Sequence, residues 1–504
     1  MDAEPPFLLA IDQGTTSTRA ILFDAALRPL ASHSIAIRQI YPANGWVEHD
    51  PEEIWQSALA CCRIAAKGVG AHEIAAIGLT NQRETVVIWD RSTGAPIGNA
   101  IVWQDRRTAD VCDALKRAGW GERVAARTGL VIDPYFSATK IAWLLDHSPG
   151  IRARAERGEL AFGTIDTWLI YRLTGTRVHA TDVTNASRTM LLDLRSLSWD
   201  AEMLELFRIP PCLLPDIRNS AAEFGVVSSD ILGAGIPIRG VAGDQQAAAF
   251  GQACFAAGDV KSTYGTGCFA LVNTGELPVA SQNRLITTVA YAVSDRPAYA
   301  IEGSIFSAGA VVQWLRDALH IIREAADIEN LALGSKDVEG LHFVPAFAGL
   351  GAPYWDPQAR GAISGLTQDM GAAEIARAAL DAVCFQTRDL LEAMGADMHQ
   401  AGLGKPASLK VDGGMVLNGW FCQRLADLTG LIVDRPHVIE TTALGAASLA
   451  ALSCGIFRNV ADIARTWTSD RRFEPEMASD VRDLRYEGWK SAVRKVRSAS
   501  SHGT

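Results

Sequence analysis

Short apolar runs and longer stretches of mixed polarity alternate along the whole chain. Residues 7–11 form an unbroken apolar run, residues 13–18 are rich in Gly, Thr and Ser, and residues 19–23 are again mostly apolar. This pattern predicts a strand, a tight turn and a second strand. Similar runs at 74–79 and 85–89 predict further strands. Because helical patterns separate these strands, we expect an α/β fold.

A helix is expected to begin directly after residue 50. Asp50 can cap its first turn, and Pro51 suits the first helical position because that position has no intrahelical N–H bond to lose. The apolar residues that follow predict a buried face formed by Ile54, Leu59 and Ile64.

The middle of the chain predicts a strand, a turn and a helix in succession. The strand covers residues 237–242, the turn residues 243–246 and the helix residues 247–254. Later apolar patterns predict two more strands and a long helix, at residues 341–347, 408–411 and 372–394.

The opening pattern of strand, Gly/Thr turn and strand recurs at residues 259–272. The two passages lie about half a chain apart and share little besides this pattern. The recurrence therefore gives the hypothesis of two related domains, with residues 1–253 in the first and residues 254–504 in the second.

Composition and charge narrow the class of protein. The chain has 504 residues, of which 48% are hydrophobic and 21% are charged. It is too apolar for a disordered protein, and it is long enough for two or three domains with substantial cores. The net charge of −10 repels nucleic-acid phosphates, and no local basic patch offsets it. We expect no nucleic-acid partner.

The apolar stretches do not resemble membrane or export signals. The N-terminal segment MDAEPPFLLA carries acids where a signal peptide carries Lys or Arg. The run Ala443–Phe457 is shorter than a membrane span and contains two serines. Nine cysteines without a CxxC pair indicate reduced, buried thiols. We expect a cytoplasmic protein without membrane insertion.

Candidate chemistry is concentrated in four turns that each follow a predicted strand. The first turn, Gly14–Thr18, offers backbone N–H groups and hydroxyls to phosphate oxygens, and Arg19 adds a positive charge. Asp12, at the end of the preceding strand, could orient Mg²⁺ through water. The second turn, Gly265–Gly267, could bind another phosphate in the same way. Either Gly/Thr hairpin could also be a purely structural turn.

The third and fourth turns carry Asp244 and the Asp-Gly-Gly sequence at 412–414. Asp244 follows a strand at a position where α/β sheets often bind ligands, and its carboxylate could act as a general base or contact a metal ion. Alternatively, Asp244 only caps the next helix. The fourth turn would let a flat ring lie against bare backbone, or it is a simple turn.

Several common catalytic motifs are missing from the sequence. It has no GxxxxGK[ST] phosphate loop and no GxGxxG dinucleotide loop. It also lacks HExxH and GxSxG, which argues against zinc hydrolases and α/β-hydrolases.

Longer segments resemble the FGGY carbohydrate kinases of the actin-like ATPase superfamily. Residues 135–147, YFSATKIAWLLDH, resemble the first signature of that family, and residues 361–366 followed by 374–381 resemble the second. Five further segments resemble the members of the family that phosphorylate glycerol, namely residues 81–85, 103–107, 182–190, 242–246 and 349–356.

The resemblance implies two ribonuclease-H-like domains, of the actin/hexokinase type, that flank a cleft for ATP and substrate. It implies ATP-dependent phosphorylation of glycerol to sn-glycerol 3-phosphate with Mg²⁺ on the phosphates. It is also compatible with a homo-oligomer, either a dimer or a tetramer.

The resemblance also implies residue roles. Asp244 would take the proton of the attacking hydroxyl, and it would face the metal ion together with Asp12. The residues implied for glycerol binding are Arg83, Glu84, Trp103, Tyr135, Asp244, Gln245 and Phe269. Those implied for ATP binding are Thr15, Thr16, Ser17, Arg19, Thr266, Gly309, Gln313, Gly414 and Asn418.

One pair of these residues poses a geometric condition. Neighbours on a regular strand point to opposite faces, so Arg83 and Glu84 can contact one ligand only if they lie on a turn. Their position between two predicted strands permits a turn. As alternatives, the pair could lie on a solvated surface loop, and Trp103 could be an ordinary core residue.

Two other functions remain open at this point. Another FGGY kinase, acting on a pentulose or on gluconate, would keep the ATP-binding residues and change the substrate-binding ones. An ATP-driven binding or filament protein would hydrolyse ATP slowly, without dependence on an acceptor. The polar residues implied for the substrate pocket disfavour this last class.

Overall fold

The computed structural model describes residues 6–498 and contains two large β-sheets with helices packed against them. The predicted α/β class is confirmed. The α-helices span Pro51–Ala65, Ala109–Arg117, Gly121–Thr128, Ser137–His147, Ile151–Glu156, Ile165–Leu173, Val183–Ala186, Ala201–Leu206, Ser229–Leu232, Asp244–Gly251, Gly309–Asp317, Asp327–Leu333, Ala372–Gln400, Gly419–Thr429, Thr441–Ser453, Val460–Ala464 and Ser479–Val496.

The first sheet has five strands, three antiparallel and two parallel. The antiparallel part is a meander, the fourth strand pairs in parallel with Phe7–Gln13, and the fifth pairs in parallel with the fourth. The sequence pattern missed Pro29–Ala36, an edge strand without a buried residue, so its apolar signal is weak. In spatial order the strands are Pro29–Ala36, Ser17–Phe23, Phe7–Gln13, Ile74–Asn81 and Ile238–Gly243.

The second sheet has seven strands, and its five inner strands repeat the order and directions of the first sheet. Two antiparallel strands extend its edges. In spatial order the strands are Ile286–Val293, Arg296–Ile305, Cys268–Gly275, Val260–Tyr264, Ser408–Asp412, Ile432–Pro436 and Ser469–Phe473. The repeated topology is the ribonuclease-H-like arrangement expected from the resemblance. A domain boundary near residue 253 stays a proposal.

Five two-stranded sheets complete the described part of the fold. Three of them lie within the chain segment that separates the fourth and fifth strands of the first sheet. The pairs are Glu48–His49 with Ala100–Ile101, Val87–Asp90 with Leu160–Gly163, Ala180–Asp182 with Asp216–Arg218, Leu192–Asp193 with Ser198–Trp199, and His342–Val344 with Ala362–Ser364.

Two local predictions are wrong. Asp50 and Pro51 do begin the first helix, but Ile64 is exposed, because residues spaced by five do not share one helical face. The helix instead buries Cys61 and Cys62 beside Ile54. The segment 243–246 is not a turn: the helix begins at Asp244, three residues earlier than predicted, with Gly243 as its N-cap.

Two helices pack against each other between the sheets, and they approach closely at glycines. Asp244–Gly251 faces the second sheet, while Thr441–Ser453 comes from the second half of the chain and lies on the first sheet. A Cβ added at Gly445 would lie 1.8 Å from the carbonyl oxygen of Ala247, and one added at Gly78 would lie 2.1 Å from that of Ala446. Only glycine permits these contacts.

The Asp-Gly-Gly turn is tied to both of these helices. The buried carboxylate of Asp412 accepts hydrogen bonds from Gln252 Nε2 at 3.0 Å and from Thr441 Oγ1 at 2.7 Å. Asp412 therefore joins the end of a second-sheet strand to the end of one helix and the start of the other.

Within residues 6–498, no helix is long and apolar enough to cross a membrane. The apolar run that begins at Ala443 is instead the helix buried on the first sheet. All nine cysteines are free thiols, as predicted, but Cys212 and Cys454 are exposed. Residues 1–5, which carry part of the N-terminal segment considered above, lie outside the described residues.

We expect Gly445→Ala to destabilise the protein by a net amount of about 1–2 kcal/mol. Overpacking typically costs about 1–3 kcal/mol, and replacing glycine inside a helix returns up to about 1 kcal/mol. The measurement is urea unfolding of the native and variant chains.

Gly395→Ala is the matched control. Gly395 lies inside the helix Ala372–Gln400, and a Cβ there meets no atom within 4 Å. It should leave stability unchanged or raise it by up to about 1 kcal/mol. Equal effects of the two substitutions would contradict the role given to the close helix contact.

Candidate active site

The segment after the strand Ile74–Asn81 turns so that two consecutive charged side chains enter one pocket. Glu84 has φ +62°, and the Thr85 N–H donates to the Arg83 carbonyl at 2.7 Å. Arg83 Nε lies 3.9 Å from Glu84 Oε1, and both side chains are buried. The turn required for a shared ligand is present, and the alternative of a solvated surface loop is wrong.

Arg83 is surrounded by carboxylates from both sheets. Its Nε lies 3.0 Å from Asp244 Oδ1, at the start of the helix that follows the first sheet. Nη1 and Nη2 donate to the two oxygens of Glu302, at 2.5 and 3.2 Å. Nη2 also lies 3.4 Å from the Tyr135 hydroxyl. The guanidinium therefore has a partner on each of its edges.

A second buried arginine completes this charge cluster. Arg188 donates from Nε to Glu84 Oε1 at 2.6 Å and from Nη2 to Glu302 Oε1 at 2.9 Å. Sequence reasoning assigned no role to Arg188 or Glu302. A signal for Glu302 did exist, because it is the one acidic or basic residue in the apolar part of its strand, residues 298–305.

The cluster keeps its charges by mutual pairing. Burial alone would raise the pKa of Glu302, but Arg188 and Arg83 outweigh it and bring that pKa to about 2. Burial opposes the charge on Arg83, yet Glu302, Tyr135, Glu84 and Asp244 hold its pKa well above the usual value. Burial raises the pKa of Glu84 despite the two arginines. Burial therefore has the larger effect on the pKa of Glu84, whereas the arginines have the larger effect on the pKa of Glu302.

Three aromatic rings form one wall of the site. Trp103 meets Tyr135 and Phe269 edge to face, with ring centroids 5.5 and 6.3 Å apart. Phe269 also lies 6.0 Å from the Arg83 guanidinium. Trp103 is half-buried, and its indole N–H donates to Thr15 Oγ1 at 2.8 Å, so it reaches the first turn. A core-only role for Trp103 does not fit these contacts.

Asp244 and Gln245 begin the helix beside this wall. The Gln245 N–H donates to Asp244 Oδ1 at 2.7 Å. The Asp244 side chain keeps 30% of its surface exposed, unlike the buried carboxylates around Arg83. Lys261, from the second sheet, donates from Nζ to Gln245 Oε1 and, at 2.9 Å, to Thr263 Oγ1. Sequence reasoning missed Lys261, although it is a lone charge in a buried strand.

All seven residues predicted for substrate binding therefore lie in one connected cluster. Burial lowers the pKa of Lys261, and the carboxylates of Asp412 and Asp244 act in the opposite direction. The cluster draws its members from both sheets and from the segment between the fourth and fifth strands of the first sheet.

The first Gly/Thr turn is held by the residue next to Arg83. The Gln82 N–H donates to the Gln13 carbonyl at 2.7 Å, and Gln82 Nε2 donates to the Gly14 carbonyl at 3.2 Å. Within the turn, the Gly14 N–H donates to the Ser17 carbonyl at 2.9 Å, while Thr16 is exposed. The turn thus presents Thr15, Thr16 and Ser17 at the edge of the pocket.

Asp12 and Arg19 face each other across the hairpin. Arg19 forms an ion pair with Glu440, the residue before the helix Thr441–Ser453. Burial raises the pKa of Asp12 to about 7, with additional repulsion from Asp244 and Glu440 and an opposing effect of Arg19.

The residues around Asp12 fit a magnesium ion that arrives with phosphates. No group of three His, Cys, Asp or Glu side chains in residues 6–498 is arranged to hold a metal ion by itself. Mg²⁺ in phosphotransferases typically takes one or two carboxylates and completes its shell with phosphate and water. Asp12 and Asp244 offer two mutually repelling carboxylates of this kind.

The second turn and the Asp-Gly-Gly turn lie together at the other sheet. Gly309 N–H donates to the Gly265 carbonyl at 2.9 Å, and the Thr266 carbonyl accepts from Ala308 and Ala310. A Cβ on Gly413 would lie 2.5 Å from the Tyr264 carbonyl oxygen. These contacts place Gly309 against the predicted phosphate turn.

The remaining residues predicted for the nucleoside follow either Gly309 or the Asp-Gly-Gly turn in the chain. Gln313 is exposed one helical turn after Gly309, and Gly414 is also exposed. Asn418 caps the helix Gly419–Thr429 through Oδ1, which accepts from the Phe421 N–H at 2.8 Å. Its buried Nδ2 has no partner among the described residues, so a donor is left for a ligand.

Comparison with known proteins identifies the family. Residues 7–251 match the N-terminal domain of the FGGY family of carbohydrate kinases, and residues 260–454 match its C-terminal domain. The chain therefore belongs to the FGGY family of carbohydrate kinases, and its chemistry is ATP-dependent phosphoryl transfer. This confirms the resemblance seen in the sequence.

Full-length relatives are more specific than the family model. The glycerol kinase of Alcanivorax borkumensis is 56% identical, covering 97% of this chain and 98% of its own length. Glycerol kinase 1 of Pseudomonas aeruginosa is 58% identical, with 98% and 99% covered. The crystal structure of Plasmodium falciparum glycerol kinase with ADP has a TM-score of 0.91 at 37% identity and covers 98% of both chains.

More distant family members share the fold. The crystal structure of gluconate kinase from Lactobacillus acidophilus has a TM-score of 0.88 at 22% identity, with 99% of each chain covered. The two-domain architecture is thus common to kinases with different names.

A buried histidine, His49, lies behind the first turn. His49 Nδ1 lies 3.3 Å from Gln82 Nε2, and its Nε2 has no partner among the described residues. Burial lowers the pKa of His49 to about 4, against the opposing effects of Glu53 and the Thr15 backbone. His49 is therefore neutral near pH 7, and protonating it in place is costly.

We expect the contribution of His49 to stability to fall as the pH is lowered from about 7 towards 4. In that interval the unfolded chain binds a proton at His49 and the folded chain does not, so acid favours unfolding. His49→Gln should reduce the loss at pH 5 by about 2 kcal/mol. Urea unfolding at pH 7.5 and pH 5 measures the difference.

His399→Gln is the control, because His399 is solvent-exposed. It should leave the pH dependence of the native chain unchanged. An identical pH dependence in the native chain and in His49→Gln would contradict the prediction.

Proposed function

We propose that this chain is a glycerol kinase that transfers the γ-phosphoryl group of ATP to a terminal hydroxyl of glycerol, forming sn-glycerol 3-phosphate. The observation that carries the proposal is the cluster around Arg83. There Asp244, partly open to solvent, is held against buried charged groups and an aromatic wall. The full-length glycerol kinase relatives support the same substrate.

The pocket suits a small triol. Glycerol offers three hydroxyls and little apolar area, so its binding depends on charged hydrogen-bond partners, each worth about 1.5–3 kcal/mol. Arg83 would supply a donor from Nη2, whose 3.4 Å contact with the Tyr135 hydroxyl is long for a hydrogen bond. Glu84 would supply an acceptor, and Gln245 would supply an amide whose oxygen is already taken by Lys261. Trp103 and Phe269 would pack against the carbon chain.

Asp244 is positioned to act as the general base. Arg83 Nε and the Gln245 N–H both reach Oδ1, which leaves Oδ2 to face the attacking hydroxyl. In this arrangement Oδ2 takes the hydroxyl proton as the oxygen attacks the γ-phosphorus, and ADP leaves. The alternative role as a helix N-cap belongs to Gly243 in this fold.

The phosphates of ATP would lie between the two Gly/Thr turns. Thr15, Thr16, Ser17 and Thr266 offer hydroxyls and backbone N–H groups, with Arg19 as the cation. Asp12 and Asp244 would hold Mg²⁺, which neutralises charge on the transferred group when it is bound. Gly309, Gln313, Gly414 and Asn418 would surround the nucleoside.

Positioning provides most of the rate in such a reaction. The transferred phosphoryl group has a loose transition state with little covalent participation by the protein. Water competes with glycerol as acceptor, so the protein must exclude it. The aromatic wall and the buried charge cluster cover most of the Asp244 side chain, which keeps 30% of its surface exposed.

A substrate panel tests the proposal. ADP formation should be measured with glycerol, pentuloses, gluconate and no acceptor, each with and without Mg²⁺. We expect glycerol to be strongly preferred and ADP to match the glycerol phosphate formed. A preference for a pentulose or gluconate would reject glycerol as the substrate, and acceptor-independent hydrolysis would reject the kinase assignment.

We predict that Asp244→Asn lowers kcat by about 10²–10⁴-fold, the usual contribution of a general base. The glycerol KM should change little, because the asparagine oxygen can still accept from Gln245. Steady-state kinetics with glycerol and ATP measure both constants.

Asp200→Asn is the matched control. Asp200 caps another helix by accepting from the Met203 N–H at 2.9 Å, and asparagine can also cap. Its kcat should equal that of the native chain. A near-native kcat for Asp244→Asn would show that Asp244 is not the base.

A further inference from the structure

A carboxylate from the second sheet lies at the centre of the acceptor site. Glu302 is 1% exposed, and its strand neighbours Ala300 and Ile301 are buried apolar residues. The strand Arg296–Ile305 pairs with Cys268–Gly275 in the second sheet, whereas Arg83 follows a strand of the first. The side chain therefore crosses from one sheet to a residue carried by the other.

Both oxygens of Glu302 are occupied by arginines. Oε2 accepts from Arg83 Nη1 at 2.5 Å, and Oε1 accepts from Arg83 Nη2 at 3.2 Å. Oε1 also accepts from Arg188 Nη2 at 2.9 Å. A two-pronged contact of this type fixes the plane of a guanidinium as well as its position.

The orientation has a consequence for the remaining edge of Arg83. With Nη1 and Nη2 directed at Glu302, Nε points to Asp244 Oδ1. Glu302 thus determines which nitrogen of Arg83 contacts Asp244, the partly exposed carboxylate.

Stability alone is a weak explanation for this buried network. Replacing a buried ion pair by apolar residues is often neutral or stabilising, because desolvation offsets the attraction. Removal of Glu302 alone would leave Arg83 and Arg188 with Glu84 and Asp244 as their carboxylate partners, so Arg83 would turn towards these two.

We infer that Glu302 is a positioning residue for the acceptor: it holds Arg83 in the orientation that binds glycerol and so makes the second sheet part of the acceptor site. Glu302 acts through Arg83, since both of its oxygens are bound to arginines. The inference rests on the proposed function.

The test is Glu302→Gln, which keeps the shape and removes the charge. The glycerol KM should rise roughly 10–100-fold, as expected for loss of a charged hydrogen bond, while the ATP KM stays within about twofold. Glu302→Asp, which keeps the charge, should recover part of the loss. A residue that only supports the fold would not separate the two KM values.

Ser187→Ala is the control for a different buried contact to the second sheet. Ser187 Oγ lies 3.1 Å from Thr288 Oγ1, is buried, and does not touch Arg83. Both of its KM values should equal those of the native chain. Unchanged glycerol KM in Glu302→Gln, or a parallel change in both KM values, would overturn the inference.

A second variant covers a failure of Glu302→Gln to fold. Arg188→Gln combined with Glu302→Gln removes one charge of each sign and still removes the two-pronged ion pair between Glu302 and Arg83, so the glycerol KM should again rise selectively. If this double variant also fails to fold, Glu302 is a folding residue and the inference is wrong.

The proposed function fails separately. If the native chain prefers another polyol, glycerol is the wrong substrate, and the same variants are then measured with the preferred acceptor. A selective rise in that acceptor's KM would uphold the role of Glu302, and an unchanged KM would reject it.

Discussion

The ion pairs of Arg83 are the interaction on which the rest of the site depends. A guanidinium removed from water needs anions around it, because an unpaired buried charge is strongly destabilising. Glu84, Asp244 and Glu302 supply them from a turn, a helix start and the opposite sheet. The cation therefore fixes the relative positions of three carboxylates that are distant in sequence. The aromatic wall fills the space that these charged groups leave beside the guanidinium.

The backbone constraint that makes this meeting possible lies between the sheets. Glycines let the helix Thr441–Ser453 approach both the first sheet and the helix Asp244–Gly251 more closely than any side chain would allow. Asp412 then ties the ends of both helices to the second sheet. Because Asp244 is the first residue of one of these helices, the close packing also determines where the candidate base enters the pocket around Arg83. The electrostatic and steric requirements thus act on the same short helix.

Elements marked by a run of apolar residues could be predicted from the sequence, and elements without such a run could not. Apolar runs revealed the inner strands, whereas Pro29–Ala36 escaped notice because an edge strand has no buried face to mark it. The site residues came from family resemblance, since nothing local distinguishes Arg83 from a surface arginine. Glu302 and Lys261 were missed because their partners are defined only by the fold. Arg83 and Glu302 are 219 positions apart, and single-sequence patterns carry no information about such a contact.

The charges around the proposed phosphate site bear on how a net acidic protein would bind ATP, which is itself a polyanion. The chain carries −10, and two carboxylates, Asp12 and Asp244, lie near the proposed phosphate site. Arg19 is neutralised there by Glu440. Free ATP would meet repulsion in these surroundings, whereas a cation between its phosphates and the two acids relieves it. If Asp12 and Asp244 hold Mg²⁺ as proposed, this arrangement would favour nucleotide that arrives with the ion.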